Sequence, residues 1–399
     1  MDPPGTYVQP AFLLQAPVQP KKVLPWGCAI CDKKEDLKTC TDCGVLSYCS
    51  REHQAQHRRE NKEICNDVKQ TQATVAVIDA QLGPHPSDPS LPNLSRLGTV
   101  RRDERFPADA KTYFPAIFNL TDCMERLYTK KSVREGIALS KLMMPYYHDK
   151  LLSGGLVSTL WIRLDEDQEV YGFIKAWTIW EESENHSPGQ IAPTPIKNAD
   201  ILEDVDLWLN IEVRFMDMTD SITFLLTLTL LKIKILLDLK DLHNARQAAG
   251  PNVPEEVLKN IMANIPRSSA IKANRRIMSA RDLSPVIAEL DSQVDALYKK
   301  IYQTNLYWWR LLANPPLDII QSVVGRYNTD PMSAGCGSPI EAASWITRRG
   351  QRFCWIETPG ALDFIREKNA NFPLPALEST YRAYGKRAED LLAVFYASQ

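Results

Sequence analysis

The chain of 399 residues is 44% hydrophobic and 24% charged, enough for one large or two modest domains with a buried core. Its net charge of −2 argues against an overall polyanion-binding surface, because nucleic-acid binders concentrate Lys and Arg on one face. The longest apolar run, Ile222 to Leu231, ends at Lys232, well short of the roughly 20 residues that cross a bilayer, so a buried helix is expected there and no membrane span.

Residues 1–24 hold five prolines and Asp2 but no basic start, which suits a disordered or polyproline-like tail and not a secretory signal, so an intracellular protein, nuclear or cytoplasmic, is expected. A cysteine-rich segment follows over residues 25–66. Val68 to Leu82 reads as a short helix. Gly83 to Pro92, with four prolines, then reads as the start of a linker that runs to about Lys111.

Helical periodicity recurs beyond residue 113, over Thr121 to Met144, Ser221 to Gln247, Pro254 to Ala263, Leu283 to Leu312 and Leu377 to Ala397. Leu156 to Leu164 and Val170 to Trp177 are rich in β-branched and aromatic residues and flank a polar tract, which predicts a hairpin. The expected class is mainly α with minor antiparallel β. Four regions are expected: a tail (1–24), a metal-binding finger (25–66), a helix with a Pro-rich linker (67–112) and a large helix-rich C-terminal domain (113–399).

Six of the nine cysteines fall between Cys28 and Cys65, where an even spread would place about one. Without an export signal, such a cluster points to metal in preference to disulfides. The pattern is Cys28-x2-Cys31, Cys40-x2-Cys43, Cys49-x3-His53 and finally Cys65. Each Cys-x2-Cys pair suits a tight turn that aims two thiolates at one ion. Ser50 is a candidate N-cap for a helix over the following residues, which places His53, His57, Asn61 and Cys65 on one face. A cross-braced arrangement of two zinc ions follows. Cys28, Cys31, Cys49 and His53 close one tetrahedron, and Cys40, Cys43 and Cys65 supply three ligands of the other.

The tract Tyr48 to Gln54, with these spacings, resembles the MYND finger family over about a tenth of the chain. The resemblance implies a small two-zinc finger that docks a protein partner. The family's usual His four residues before the last Cys is replaced here by Asn61. His57 is the candidate substitute, one helical turn or roughly 5.4 Å further away; helix adjustment, water or a weak second site are the alternatives. Relatives that bind proline-rich peptides use a Gln and, four residues on, a Trp. Gln54 matches and Arg58 stands for the Trp, while Trp26 offers either an aromatic surface or a cap on the finger's core.

The segment's larger apolar side chains are few: Trp26, Ile30, Leu37, Val45, Leu46, Tyr48 and Ile64. That is too little core for about 40 residues to fold alone, whereas a structural zinc contributes on the order of 10–16 kcal/mol in peptide fingers.

Competing readings are thinner. In methyltransferases that combine a SET domain with this finger, SET sequence begins upstream of it, but only 27 residues precede Cys28, and Asn185 to Pro188 reads as a polar loop. Gly335 to Ser338 reads as a turn, Cys123 and Cys354 as core thiols, and His148 and His243 as structural. Residues 21–69 hold ten Lys and Arg against eight Asp and Glu, so Arg51, Arg58, Arg59 and Lys62 read as a solvated helix face; Arg96, Arg101, Arg102 and Arg105 form a second basic group. No catalytic residue is assigned. The expectation is a zinc-dependent interaction protein, with an enzyme whose site lies in residues 113–399, or a DNA-binding regulator, as alternatives.

Overall fold

The computed structural model describes residues 24–85, 88–93, 108–144, 150–182, 194–210, 220–249, 253–305, 307–313 and 351–370. The expected helix over Leu377 to Ala397, residues 1–23 of the tail, the Asn185 to Pro188 and Gly335 to Ser338 tracts, His148 and the linker arginines lie outside them. Among the described residues helix dominates, with two small antiparallel sheets. The chain packs as two compact units that divide between Ile201 and Leu202, inside the stretch read from the sequence as a single domain.

The first unit begins with the finger. Strand β1 (Lys38–Thr39) pairs antiparallel with β2 (Ser47–Tyr48), Lys38 opposite Tyr48 and Thr39 opposite Ser47. Helix α1 (Arg51–Leu82) follows, started by Ser50, whose side chain accepts a bond from the His53 amide. Its buried positions His57, Asn61, Ile64, Cys65, Val68, Val75, Ile78 and Leu82 make one continuous stripe. The expected short helix from Val68 is therefore the second half of a 32-residue helix, because the stripe that carries the last ligands runs on to meet α2 (Ala108–Arg126). Gly83 ends α1.

The expected linker is not wholly irregular. Strands β3 (Pro84–His85) and β4 (Asp88–Pro92) pair antiparallel, an arrangement that short edge strands allow despite prolines that donate no hydrogen bond. The expected helix over Thr121 to Met144 is two helices. Tyr128 takes a left-handed conformation (φ 51°) between α2 and α3 (Lys130–Met143), and a capping box of Thr129 and Ser132 restarts the chain. Buried Arg126 at the end of α2 pairs with Asp122 at 3.3 Å and with Asp67 of α1 at 3.6 Å.

The predicted hairpin is overturned. Its two segments lie in helices α4 (Lys150–Arg163) and α5 (Asp167–Glu182), joined by a turn in which Asp165 is left-handed (φ 62°). Both helices bury residues on several sides, including Val157, Leu160, Trp161, Tyr171, Phe173 and Trp177, so no periodicity distinguishes strand from helix. Burial decides against β propensity. The Ser158, Thr159 and Thr178 hydroxyls bond back to the carbonyls of Gly155, Leu156 and Ile174 within their own helices. Consecutive helices of this unit pack in sequence, α1 on α2, α2 on α3, α3 on α4 and α4 on α5.

The second unit is organised around α7 (Asp220–Ala249), which contains the apolar run Ile222 to Leu231 and is buried on all sides over most of its length. Packed on it are α8 (Glu255–Asn264), α11 (Ser284–Thr304) and α14 (Ala361–Ala370). Among its described residues it also holds the short helices α6 (Asp206–Leu209), α9 (Ser269–Ala273), α10 (Arg275–Ser279), α12 (Trp308–Ala313) and α13 (Arg352–Glu357). The expected helix over Leu283 to Leu312 breaks at Asn305, whose side chain accepts from the Tyr307 amide. Among the described residues no helix is long and apolar enough to cross a membrane. Lys232, which interrupts the apolar run, is fully buried and donates to the Glu203 carbonyl at 2.7 Å.

Candidate metal centre

Two knuckles and the start of α1 converge in the finger. The first knuckle closes when the Asp32 amide donates to the Cys28 carbonyl and the Cys28 amide to the Lys33 carbonyl, with Asp32 left-handed (φ 57°). The Asp32 carboxylate also accepts from the Trp26 and Gly27 amides at 2.7 and 2.8 Å. Gly27 is required by contact: a Cβ there would stand 2.2 Å from the Lys33 carbonyl oxygen. The second knuckle closes through Gly44 donating to Cys40, Cys40 donating to Leu46, and Gly44 at φ 69°.

Among the described residues, two groups of donors gather so that all members lie within 4.8 Å of one another: Cys28, Cys31, Cys49 and His53, and Cys40, Cys43 and Cys65. The spacing suits metal. Cys31 and Cys49 have their sulfurs 3.6 Å apart, far beyond the bonded S–S distance of about 2.05 Å. Tetrahedral Zn–S bonds of about 2.3 Å give an S–S edge of about 3.8 Å, and a mixed S–N edge of about 3.6 Å. Nδ1 of His53 lies 3.5 Å from the Cys28 sulfur and 3.3 Å from that of Cys49. All eight cysteines among the described residues are free thiols.

The two groups also shift the ionisation of their own thiols. Burial opposes ionisation of Cys28, but the amides of Cys31, Cys49 and Ile30, with His53, outweigh it and bring its pKa down to about 6. At Cys43 the neighbouring Cys65 thiol, aided by the Leu46 and Val45 amides, outweighs burial and gives about 5. The same crowding works against the neighbours. Burial and the thiols of Cys31 and Cys28 push Cys49 up to about 11, and Cys43 together with burial pushes Cys65 up as well. Cys28 and Cys43 thus ionise at the expense of Cys49 and Cys65, and a bound dication relieves that repulsion between thiolates.

His57, Asn61 and Tyr48 form a buried set beside the second group. Nδ1 of His57 is hydrogen-bonded to the Tyr48 hydroxyl at 3.0 Å, and the Asn61 side-chain amide lies against Nε2 of the same ring. Burial, then the charges of Cys65, Cys40 and Cys43, push Tyr48 far above the usual phenol range. The Tyr48 contact is not legible from spacing, and neither is the Asp32 bridge; an Asp directly after a Cys-x2-Cys pair is the only local hint of the latter.

Beside the second group, a groove is lined by Tyr48, Gln54, Arg58 and Lys62 together with Cys40, Cys65 and Asp42. Arg58 pairs there with Asp42 at 2.8 Å. Trp26 is 43% exposed, so it does not cap the finger's core. Its ring lies under the Arg134 guanidinium at 4.4 Å and the Lys130 ammonium at 5.4 Å, and its neighbour Pro25 accepts from the Lys130 amide. The other tryptophans serve mostly as core: Trp161, Trp177, Trp208, Trp308, Trp309 and Trp355 are buried. Cys123 and Cys354 are buried too, the first pushed by burial to about 11.

The profile of the MYND finger family matches residues 28–65. No curated protein and no solved structure matches the chain. With both donor groups spaced for zinc, residues 28–65 constitute a MYND-type zinc finger with two metal-binding groups.

Proposed function

We propose that the finger is a zinc-folded docking module for a protein partner, its ions held by Cys28, Cys31, Cys49 and His53 in one site and by Cys40, Cys43 and Cys65 in the other. The observation that carries this reading is the small depression beside the second group, where Gln54, Arg58 and Lys62 surround buried Tyr48. Members of this finger family generally bind proteins, and that analogy supports the same role here. With all four positions of the first site filled by side chains, the ion there is structural and not catalytic.

The partner is read as an extended peptide laid across Gln54, Arg58 and Lys62. Arg58 stands where proline-binding relatives carry Trp, so a proline-rich ligand loses its indole platform and gains a cation held by Asp42. A ligand with a carboxylate near Arg58 and Lys62 fits better on charge. The test uses the full chain, since α1 belongs both to the finger and to the packing on α2. Gln54→Ala combined with Arg58→Glu should leave two zinc ions per chain and abolish capture of partners retained by the parent. Partners captured by the double variant as they are by the parent would remove the groove from consideration.

A further inference from the structure

Helices α9 and α10 of the second unit carry cations without matching acids. Between Met262 and Asp282 the chain holds Arg267, Lys272, Arg275, Arg276 and Arg281 and no Asp or Glu, in a protein of net charge −2. All five residues are exposed. Arg267 reaches Asp241 at 3.8 Å, whereas Lys272, Arg275, Arg276 and Arg281 have no carboxylate partner among the described residues. The backbone beneath them is held from α7. Asp238 accepts from the Arg267 and Ser268 amides ahead of α9, and Arg246 donates to the Ile277, Met278 and Ala280 carbonyls around the end of α10. Ile271 and Ile277 are buried, and the Asn274 side chain starts α10 by accepting from the Ile277 amide at 3.1 Å. Four unneutralised charges thus stand on a fixed platform, and a polyanion relieves their mutual repulsion.

We propose that this α9–α10 surface binds the phosphate backbone of double-stranded DNA, without reading its sequence, through Lys272, Arg275, Arg276 and Arg281. It uses no residue of the finger, so it stands or falls independently of the docking role. The side chains present select among polyanions. With Ile271 and Ile277 buried, the patch lacks the apolar anchor on which protein interfaces depend, and equally the inserted side chains that would secure a basic patch on a bilayer. No aromatic residue lies between Met262 and Asp282 to stack the bases of a single strand. The neutral polar groups are spent internally, Asn274 on the Ile277 amide and Ser279 on the Arg276 carbonyl, so they are not free to read the 2′-hydroxyls that mark RNA. Charge alone remains. Duplex DNA, with a phosphate charge about every 1.7 Å of axis, is the partner that charge alone can hold.

Fluorescence anisotropy of short labelled duplexes with the full-length, zinc-loaded protein tests this. Two duplexes of unrelated sequence should bind alike. Log affinity should fall against log salt with a slope of about −3.6 for four phosphate contacts, a loss of roughly 150-fold between about 50 and 200 mM. Changing all four residues to Gln should abolish binding and leave the zinc content unchanged. The pairs Lys272→Gln with Arg281→Gln, and Arg275→Gln with Arg276→Gln, should each cut the slope by about half, which keeps the test decisive if the fourfold variant does not fold. Arg51→Gln with Arg59→Gln, exposed on α1, should bind as the parent does. No binding at low salt, slopes unchanged in both pairs, or loss in the α1 variant instead would overturn the proposal. Tighter binding of single-stranded DNA or duplex RNA would overturn it too. So would binding by the four cations to anionic phospholipid vesicles and not to the duplex, or competition by polyglutamate as effective per charge as by duplex DNA, which would make the surface a membrane or protein contact.

Discussion

Asp238 shows how a single buried carboxylate is placed under opposing demands. One oxygen accepts from the amides of Arg267 and Ser268 at 2.9 and 2.7 Å, while the other is buried without a hydrogen bond. Burial dominates and raises its pKa, with the two amides and the charges of Lys234 and Arg267 opposing. The folded protein then holds that proton more firmly than the unfolded chain. Stability from this group is therefore fullest below about pH 4, the ordinary Asp value, and declines as pH rises through the raised folded value. Asp238→Asn keeps an acceptor for the two amides and removes the titration. Its urea midpoint should show a flatter decline than the parent's as pH rises above about 4. Parallel curves for the two proteins would show that the carboxylate is not under strain.

At the scale of the element, two helix starts allow the finger to be separated from its support. Ser50 caps α1 by accepting from the His53 amide at 3.3 Å, so the cap and a metal ligand share one residue. Thr129 caps α3 through the same kind of bond to Ser132 at 3.1 Å, and takes no part in the metal groups. Ser50→Ala and Thr129→Ala should each cost about 1 kcal/mol in denaturant unfolding. Only Ser50→Ala should also weaken zinc in a chelator competition, because it frees the turn that aims His53. Equal metal affinity in both variants would show that the ligand is positioned by the metal alone.

For the molecule as a whole, the finger and its neighbouring helices are joined through α1, Trp26 and the Arg126–Asp67 pair. Chelation should therefore do more than unravel residues 28–65. Hydrogen exchange should rise along all of α1 and into the face of α2 that packs on it. Amides of α7 should keep their protection, since its packing partners α8, α11 and α14 lie within the second unit. Unchanged exchange in the second half of α1 after complete zinc removal would contradict this coupling.

The metal groups were legible because their information is local and chemical: six cysteines and a histidine within 38 residues carry the ligand type in their identity and the turn geometry in their spacing. Helical class was legible from periodicity in α8 and α11 for the same reason, and in α7 from its long apolar run. Elements buried on several sides were not, which is how Leu156 to Leu164 and Val170 to Trp177 came to look like strands. Nor could spacing reveal that His57 faces Tyr48, that one helix serves both finger and scaffold, or that the packing divides at Ile201. Those outcomes depend on which distant side chains compete for the same buried space, and that competition is resolved only when the helices pack.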